Sequence, residues 1–349
     1  MAAKLSICEP RGNILRDSSK ISRAQLVHMT KIDWSAGPWK VLPLLAAVLF
    51  LASCGKRANP APKPQPPPPF EFAGAWGEKG DGPGKLNQPS AFAADELGNI
   101  FFTDPGSGFV HKFESKGTPL LSFEDSRVRH ATGIAVDSGG AIYIADAERG
   151  NIFIFFPDGS FLRGLHAAPQ RHFSGALGIS VDTQGNLFVP DPAGVRVAKF
   201  DARGRFTKSW AAIKNPAPDE RPSAVAAAED GSVFVAYFKT GRIEKYSADG
   251  MLVTSWIAME ISTGESRPLA AFAVGAGFVF TMAASSPQIR VWSLDGRPML
   301  DASLAEHLGA AAISVPQIAV TPHSELLVFD PAAPRIFWFR MHLDAKDMK

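Results

Sequence analysis

Cysteine is almost missing from this chain: Cys8 and Cys54 are the two in 349 residues. Two such positions build neither a disulfide framework nor a cysteine-rich metal site. Positive charge is also missing where it would matter for nucleic acid. Formal charge is +2 over the whole chain, but residues 1–53 hold seven Lys/Arg against three Asp/Glu, and residues 70–349 hold 26 basic against 31 acidic. A mildly acidic body is poor material for a phosphate-backbone binder. No HExxH, GxSxG, CxxC or EF-hand spacing occurs. Gly80, Gly82 and Gly84 before Lys85 imitate a phosphate loop, but Lys79 and Leu86 stand where glycine and a hydroxyl residue are required. No amphipathic helix of any length breaks the pattern, which argues against helical solenoids and βαβ architecture. What remains, at 46% hydrophobic and 10% aromatic residues, is ample for a sizeable core and excludes wholesale disorder.

The front of the chain is organised differently. Val41–Ser53 runs thirteen residues without a charge. That is short of the roughly 17–25 residues a membrane span needs and suits a signal-peptide core, with Lys31 and Lys40 before it. The run ends Leu51-Ala52-Ser53-Cys54, which resembles the lipobox of bacterial lipoproteins. That resemblance implies cleavage before Cys54 and acylation of its thiol; a stable anchor takes two or more chains. A start at Met29 would give a leader of ordinary length and leave residues 1–28, with Cys8, outside the translated chain. Gly55–Phe70 holds seven prolines in sixteen residues. Proline fixes φ and lacks an N–H, so the tract reads as an extended stalk of roughly 45–50 Å. The division is therefore a leader at 1–53, a lipidated linker at 54–69, a folded body at 70–341 and a tail at 342–349.

The body repeats. Ala131–Phe155 and Ala176–Phe200 are the clearest copies, and positions equivalent to Asp146 fall at Asp104, Asp146, Asp191, Tyr237, Met282 and Asp330, spaced 42, 45, 46, 45 and 48 apart. Inside a unit the period is two: Ile134–Val136, Ile142–Ala145, Asn151–Phe156 and Ser160–Leu162 are short runs separated by Gly-bearing turns. Four strands in about 45 residues is a propeller blade. The sixth unit stops at Phe339-Arg340-Met341 without an outer strand, and Phe70–Trp76 has the composition to supply it. The expected fold is all-β: a six-bladed β-propeller of four-stranded antiparallel blades, the last closed by the N-terminal strand.

Gly133–Asp137, Gly185–Val189, Arg196–Phe200 and the loop Trp76–Gly84 resemble the NHL-repeat family of six-bladed propellers. The match spans roughly residues 70–341 and weakens in blades four and five, where Tyr237 and Met282 replace aspartate. The resemblance implies a binding or scaffolding propeller. Some relatives are amidating lyases that hold a metal with histidines at the start of the innermost strands; here those positions are Ser90, Thr132, Leu177, Ser223, Leu269 and Gln317. None is histidine, so enzymatic activity is disfavoured, no cofactor and no metal site are expected, and a propeller lyase or lactone hydrolase with an unrecognised metal site is the alternative. RNA binding, known in some members, fits neither the acidic body nor the export signal.

The recurring Asp104, Asp146, Asp191 and Asp330 read as scaffold, because a catalytic group is needed once and a scaffold group once per blade. Asp191 and Arg196, and Asp330 and Arg335, share a spacing of five that suits carboxylate–guanidinium pairs. Trp210, Trp256, Trp292 and Trp338 read as blade packing. The loops before each inner strand and after each second strand share one face, which makes Ser90, Asp104, Thr132, Glu148, Arg149, Ser223, Lys239 and Gln317 the ligand-face candidates. The functional expectation is a lipoprotein of the bacterial cell envelope, facing the periplasm or exterior. It touches the membrane through lipidated Cys54, binds a protein, peptide or glycan, and does not bind nucleic acid.

Overall fold

The computed structural model describes residues 67–146, 148–166, 178–213, 220–258, 260–262, 265–308, 317–330 and 334–343. The expected leader at 1–53, Met29, Cys54 and most of the proline tract lie outside them. The blade strands are short apolar or alternating runs set between turns. Blade one is β2 (Ala91–Ala94), β3 (Ile100–Asp104), β4 (Phe109–Phe113) and β5 (Pro119–Glu124). Blade two is β6 (Ala131–Val136), β7 (Ile142–Asp146), β8 (Asn151–Phe155) and β9 (Phe161–His166). Blade three is β10 (Ser180–Val181), β11 (Leu187–Asp191), β12 (Arg196–Phe200) and β13 (Phe206–Ala211). Blade four is β14 (Ala224–Ala227), β15 (Val233–Tyr237), β16 (Arg242–Tyr246) and β17 (Leu252–Ile257). A small hairpin, β18 (Glu260–Ser262) and β19 (Glu265–Arg267), follows; the repeat period gave no sign of it. Blade five is β20 (Leu269–Gly275), β21 (Phe278–Ala283), β22 (Gln288–Ser293) and β23 (Pro298–Ser303), trailed by a one-turn helix, Ala305–Leu308. Blade six is β24 (Gln317–Thr321), β25 (Glu325–Asp330) and β26 (Arg335–Met341), completed by β1 (Phe70–Trp76).

All six blades are antiparallel meanders, ordered from the inner strand outward. The second strand of each is covered on both sides and is a nearly continuous apolar run; β3, β7, β11, β15 and β21 are buried throughout. Outer strands alternate instead, as in β13 and β17. The core is not one mass but six buried clusters, each shared by two neighbouring blades. Ala145, Ile152 and Ile154 of blade two meet Leu187, Val189 and Ala198 of blade three. Leu327, Phe329 and Trp338 of blade six meet Ile100, Phe102 and Phe113 of blade one, which closes the ring. A single blade cannot bury its faces; two neighbours do it for each.

The closing strand copies the outer strands it replaces. In blades one to five the third and fourth strands pair with a one-residue shift at one place, between Lys112 and Phe113 in blade one and between Lys245 and Tyr246 in blade four. β1 repeats the shift against β26: Phe72 faces Phe339 and Gly74 faces Trp338. The seam contact is repeated as well. Trp210 and Trp256 of the outer strands press on the turn glycines of the following blades, Gly250 (φ +74°) and Gly296 (φ +80°). Trp76 of β1 presses in the same way on Gly117 (φ +93°) of blade one, where an added Cβ would lie 2.5 Å from the indole. Only glycine combines that dihedral with that clearance. The tryptophans are packing elements, as their spacing implied; Trp292 bonds Thr281 Oγ1 at 3.0 Å and Trp338 sits in the six–one seam.

Candidate functional site

The eight sequence candidates lie at the amino ends of the inner strands or just beyond the second strands. Antiparallel pairing makes these neighbours: Ser90 N–H donates to the Thr103 carbonyl at 2.9 Å, and Ser223 N–H to the Ala236 carbonyl at 2.8 Å. A polar chain crosses three blades here. The Gln317 side-chain amide donates to the Ser90 carbonyl, and Ser90 Oγ donates to the Ala131 carbonyl at 2.8 Å while lying 2.9 Å from Thr103 Oγ1. Thr132 Oγ1 reaches the Ala145 carbonyl at 3.5 Å, and Ser223 Oγ accepts the Phe238 N–H at 3.2 Å. These hydroxyls and the amide are therefore tied to backbone across the ring. Outside them stand the exposed side chains of Glu148, Arg149 and Lys239. Glu148 pairs with His130 at 2.8 Å, and Arg149 lies 3.5 Å from Asp146.

Asp104 is the exception among the eight. It is fully buried, and its carboxylate accepts the N–H groups of Asn87 (2.6 Å), Gln88 (2.9 Å) and Ser107 (3.2 Å). Asp146 accepts those of Glu148 and Arg149, and Asp191 that of Gly194. Asp191 also receives Arg196 Nε at 2.8 Å, the pair its spacing implied. Loop N–H groups need acceptors, and these carboxylates supply them in blades one to three. Asp330 and Arg335 face each other across β25 and β26, but the Asp330 side chain lies outside the described residues.

Blade four shows what sequence reading missed. Tyr237 replaces the aspartate, yet Arg242 keeps the position of Arg196. Glu220, from the segment before the inner strand, takes over: its Oε1 accepts Arg242 Nε at 2.7 Å and Thr240 Oγ1 at 3.2 Å. The guanidinium holding its place without a carboxylate five residues earlier was the available signal. Deeper in the same blade, buried Glu244 lies between two phenols, 2.8 Å from Tyr237 and 2.6 Å from Tyr246; the latter also contacts the Ala212 carbonyl. Burial pushes the Glu244 carboxyl up from the ordinary carboxylate range, and both phenols are pushed up too, chiefly by burial.

A family model for the NHL repeat matches residues 129–155, the blade-two copy in which Gly133–Asp137 stands. The chain is a six-bladed β-propeller, and its second blade matches the NHL-repeat model. A stretch of 147 residues, 40% of this chain, is 25% identical to the protein brain tumor of Drosophila melanogaster, of whose length it spans 14%. Among solved structures, a streptogramin B lyase superposes with a TM-score of 0.53 at 16% identity, over 74% of this chain and 84% of that one. U3-55K does so with a TM-score of 0.56 at 11% identity, over 78% and 100%. At these identities the likeness is one of fold.

The other end of the propeller's channel holds a cavity of about 810 Å³. It is lined where the inner strands end and turn outward, and none of the eight candidates borders it. Among the described residues, no group of three His, Cys, Asp or Glu side chains is placed to hold a metal ion. His166 and His172, close in sequence, fall outside the described side chains. Tyr143 donates to Asp137 at 3.0 Å beside the cavity; burial, then the neighbouring carboxylate, pushes its phenol up to about 12.

Proposed function

We propose that this protein is a lipid-anchored, extracytoplasmic binding or scaffolding module of a bacterial envelope, whose propeller presents one mouth of its ring to a protein, peptide or glycan. Cys54 carries the anchor and the proline tract holds the propeller clear of the bilayer. The observation that carries the reading is the arrangement at the amino-end mouth. Ser90 and Gln317 are occupied in bonds that join neighbouring blades, Thr132 and Ser223 in bonds within their own blades, and Glu148, Arg149 and Lys239 are exposed in the loops of the same mouth. Contact groups on a fixed base lose little freedom on binding, which favours capture of a partner. The recurring carboxylates, already accepting loop N–H groups, support a scaffold role over chemistry.

Replacing Glu148, Arg149 and Lys239 together with alanine is expected to abolish partner capture in crosslinking from intact envelopes, with the thermal midpoint unchanged. Capture at the parental level would remove this mouth from the reading. Separately, Cys54→Ala should move the protein from the membrane fraction to the soluble fraction; continued membrane retention would overturn the lipid anchor.

A further inference from the structure

The cavity at the opposite mouth has a construction of its own. Its floor takes one small apolar residue from each blade: Ala94, Val136, Val181, Ala227, Val274 and Val320. Its rim carries six carboxylates, Asp95, Glu96, Asp137, Asp182, Glu229 and Asp230, and no lysine, arginine or histidine lines it. Four of the six are committed to their own turns. Asp95 accepts the N–H groups of Leu97 and Asn99, Asp182 those of Gln184 and Asn186, and Asp137 that of Ala141. Asp230 is bonded to Ser232. Glu96 and Glu229 are exposed and have no partner among the described residues. Lys112 lies 3.4 Å from Asp95 and Lys245 3.9 Å from Asp230, but neither lines the cavity, and the other four carboxylates outnumber them.

A concave, apolar-floored site ringed by one sign of charge focuses its field on whatever enters. The carboxylates are spread over blades one to four and do not converge as metal ligands would. Several separated positive groups on a chain with apolar parts match that layout. Blades five and six contribute Gly275, Gly277 and the uncharged Thr321–Pro322 turn. An added Cβ at Gly277 would meet nothing within 4 Å, so the rim there is low and open to an approaching backbone.

We infer that this mouth is a docking site for a basic peptide segment, which places alternate apolar side chains on the six-residue floor and lysine or arginine side chains against the rim of blades one to four. The volume lies in the range of sites that enclose a ligand. The inference goes beyond the function proposed above and uses the other end of the channel, so either can fail alone.

The probe is the peptide acetyl-Lys-Leu-Lys-Leu-Lys-amide, titrated calorimetrically into the full chain. Saturable one-to-one binding is expected, weakened at least tenfold in Glu96→Gln/Glu229→Gln and at least tenfold in Ser138→Arg, which brings a cation to the rim at an exposed turn. None of these three residues holds a turn together through its side chain, so unchanged thermal midpoints should accompany the loss. The Glu148/Arg149/Lys239 variant should bind the peptide normally. Absence of saturable binding, equal binding of the same peptide with glutamate for lysine, or unaltered affinity in both rim variants would each overturn the assignment.

Discussion

A chain that begins at Gly77 is expected to melt roughly 10 °C or more below one that begins at Pro67. The ten residues between them contain β1, which pairs with β26 from Phe70–Met341 to Trp76–Ile336. Phe70 is buried in the five–six seam. Trp76 stacks on Phe113 at 4.9 Å, donates from its indole to the Ser115 carbonyl at 2.9 Å and covers Gly117. Two large side chains are worth about 2 kcal/mol each on burial, and the newly bared edge of β26 adds to the loss, giving roughly 5 kcal/mol. At 2–4 °C per kcal/mol for domains near this size, the midpoint falls as stated. A synthetic Phe70–Trp76 peptide added in excess should restore part of it. Equal midpoints for the two chains would mean that the ring is stable without its closing strand.

Much of this architecture was legible because it recurs. Four apolar runs between glycine turns, repeated at 42–48 residues, specify blades, and a last copy lacking its fourth run points to the leading strand. The bulge shared by β1 and the in-chain outer strands was not legible, since these short, half-exposed strands carry too few apolar positions to display a one-residue break in alternation. At the amino-end mouth, position along the repeat was enough to gather Ser90, Thr132, Ser223 and Gln317. It did not reveal that Asp104 is fully buried, because an aspartate at a strand end looks alike whether it faces solvent or loop N–H groups. Glu220 was out of reach for another reason: its partner Arg242 lies 22 residues away, beyond any local spacing rule. The cavity of the opposite mouth arises from six turns that are far apart in sequence, and no one of them announces it.

Acidification should loosen the one–six seam through His111. This ring is fully buried among Phe102, Phe109 and Phe113, at centroid distances of 5.0, 5.5 and 6.1 Å. Its Nδ1 lies 2.8 Å from Ser122 Oγ, which also accepts the Gly84 N–H at 3.1 Å, and its Nε2 has no partner among the described residues. Burial strips water from the charged ring and lowers its pKa to about 4, with Asp104 pulling weakly the other way. An unfolded histidine protonates near pH 6.5. Between those values the unfolded chain binds a proton that the folded one refuses, so stability is intact above about pH 6.5 and declines as pH falls toward 4. The loss attributable to this residue is about 2.5 kcal/mol at pH 4.5. Urea midpoints at pH 7.5 and 4.5 measure it, and His111→Gln should flatten the difference by that amount. An equally steep decline in the variant would assign the acid sensitivity to the carboxylates instead.

The closing contact has a consequence for how the molecule is made. β1 leaves the ribosome before every blade, yet its partner β26 is synthesised after the other five blades, and the His342 N–H that caps the pairing at the Pro69 carbonyl comes later still. During translation Phe70 and Trp76 therefore lack their final cover, and the first-made of these strands is the last to be seated.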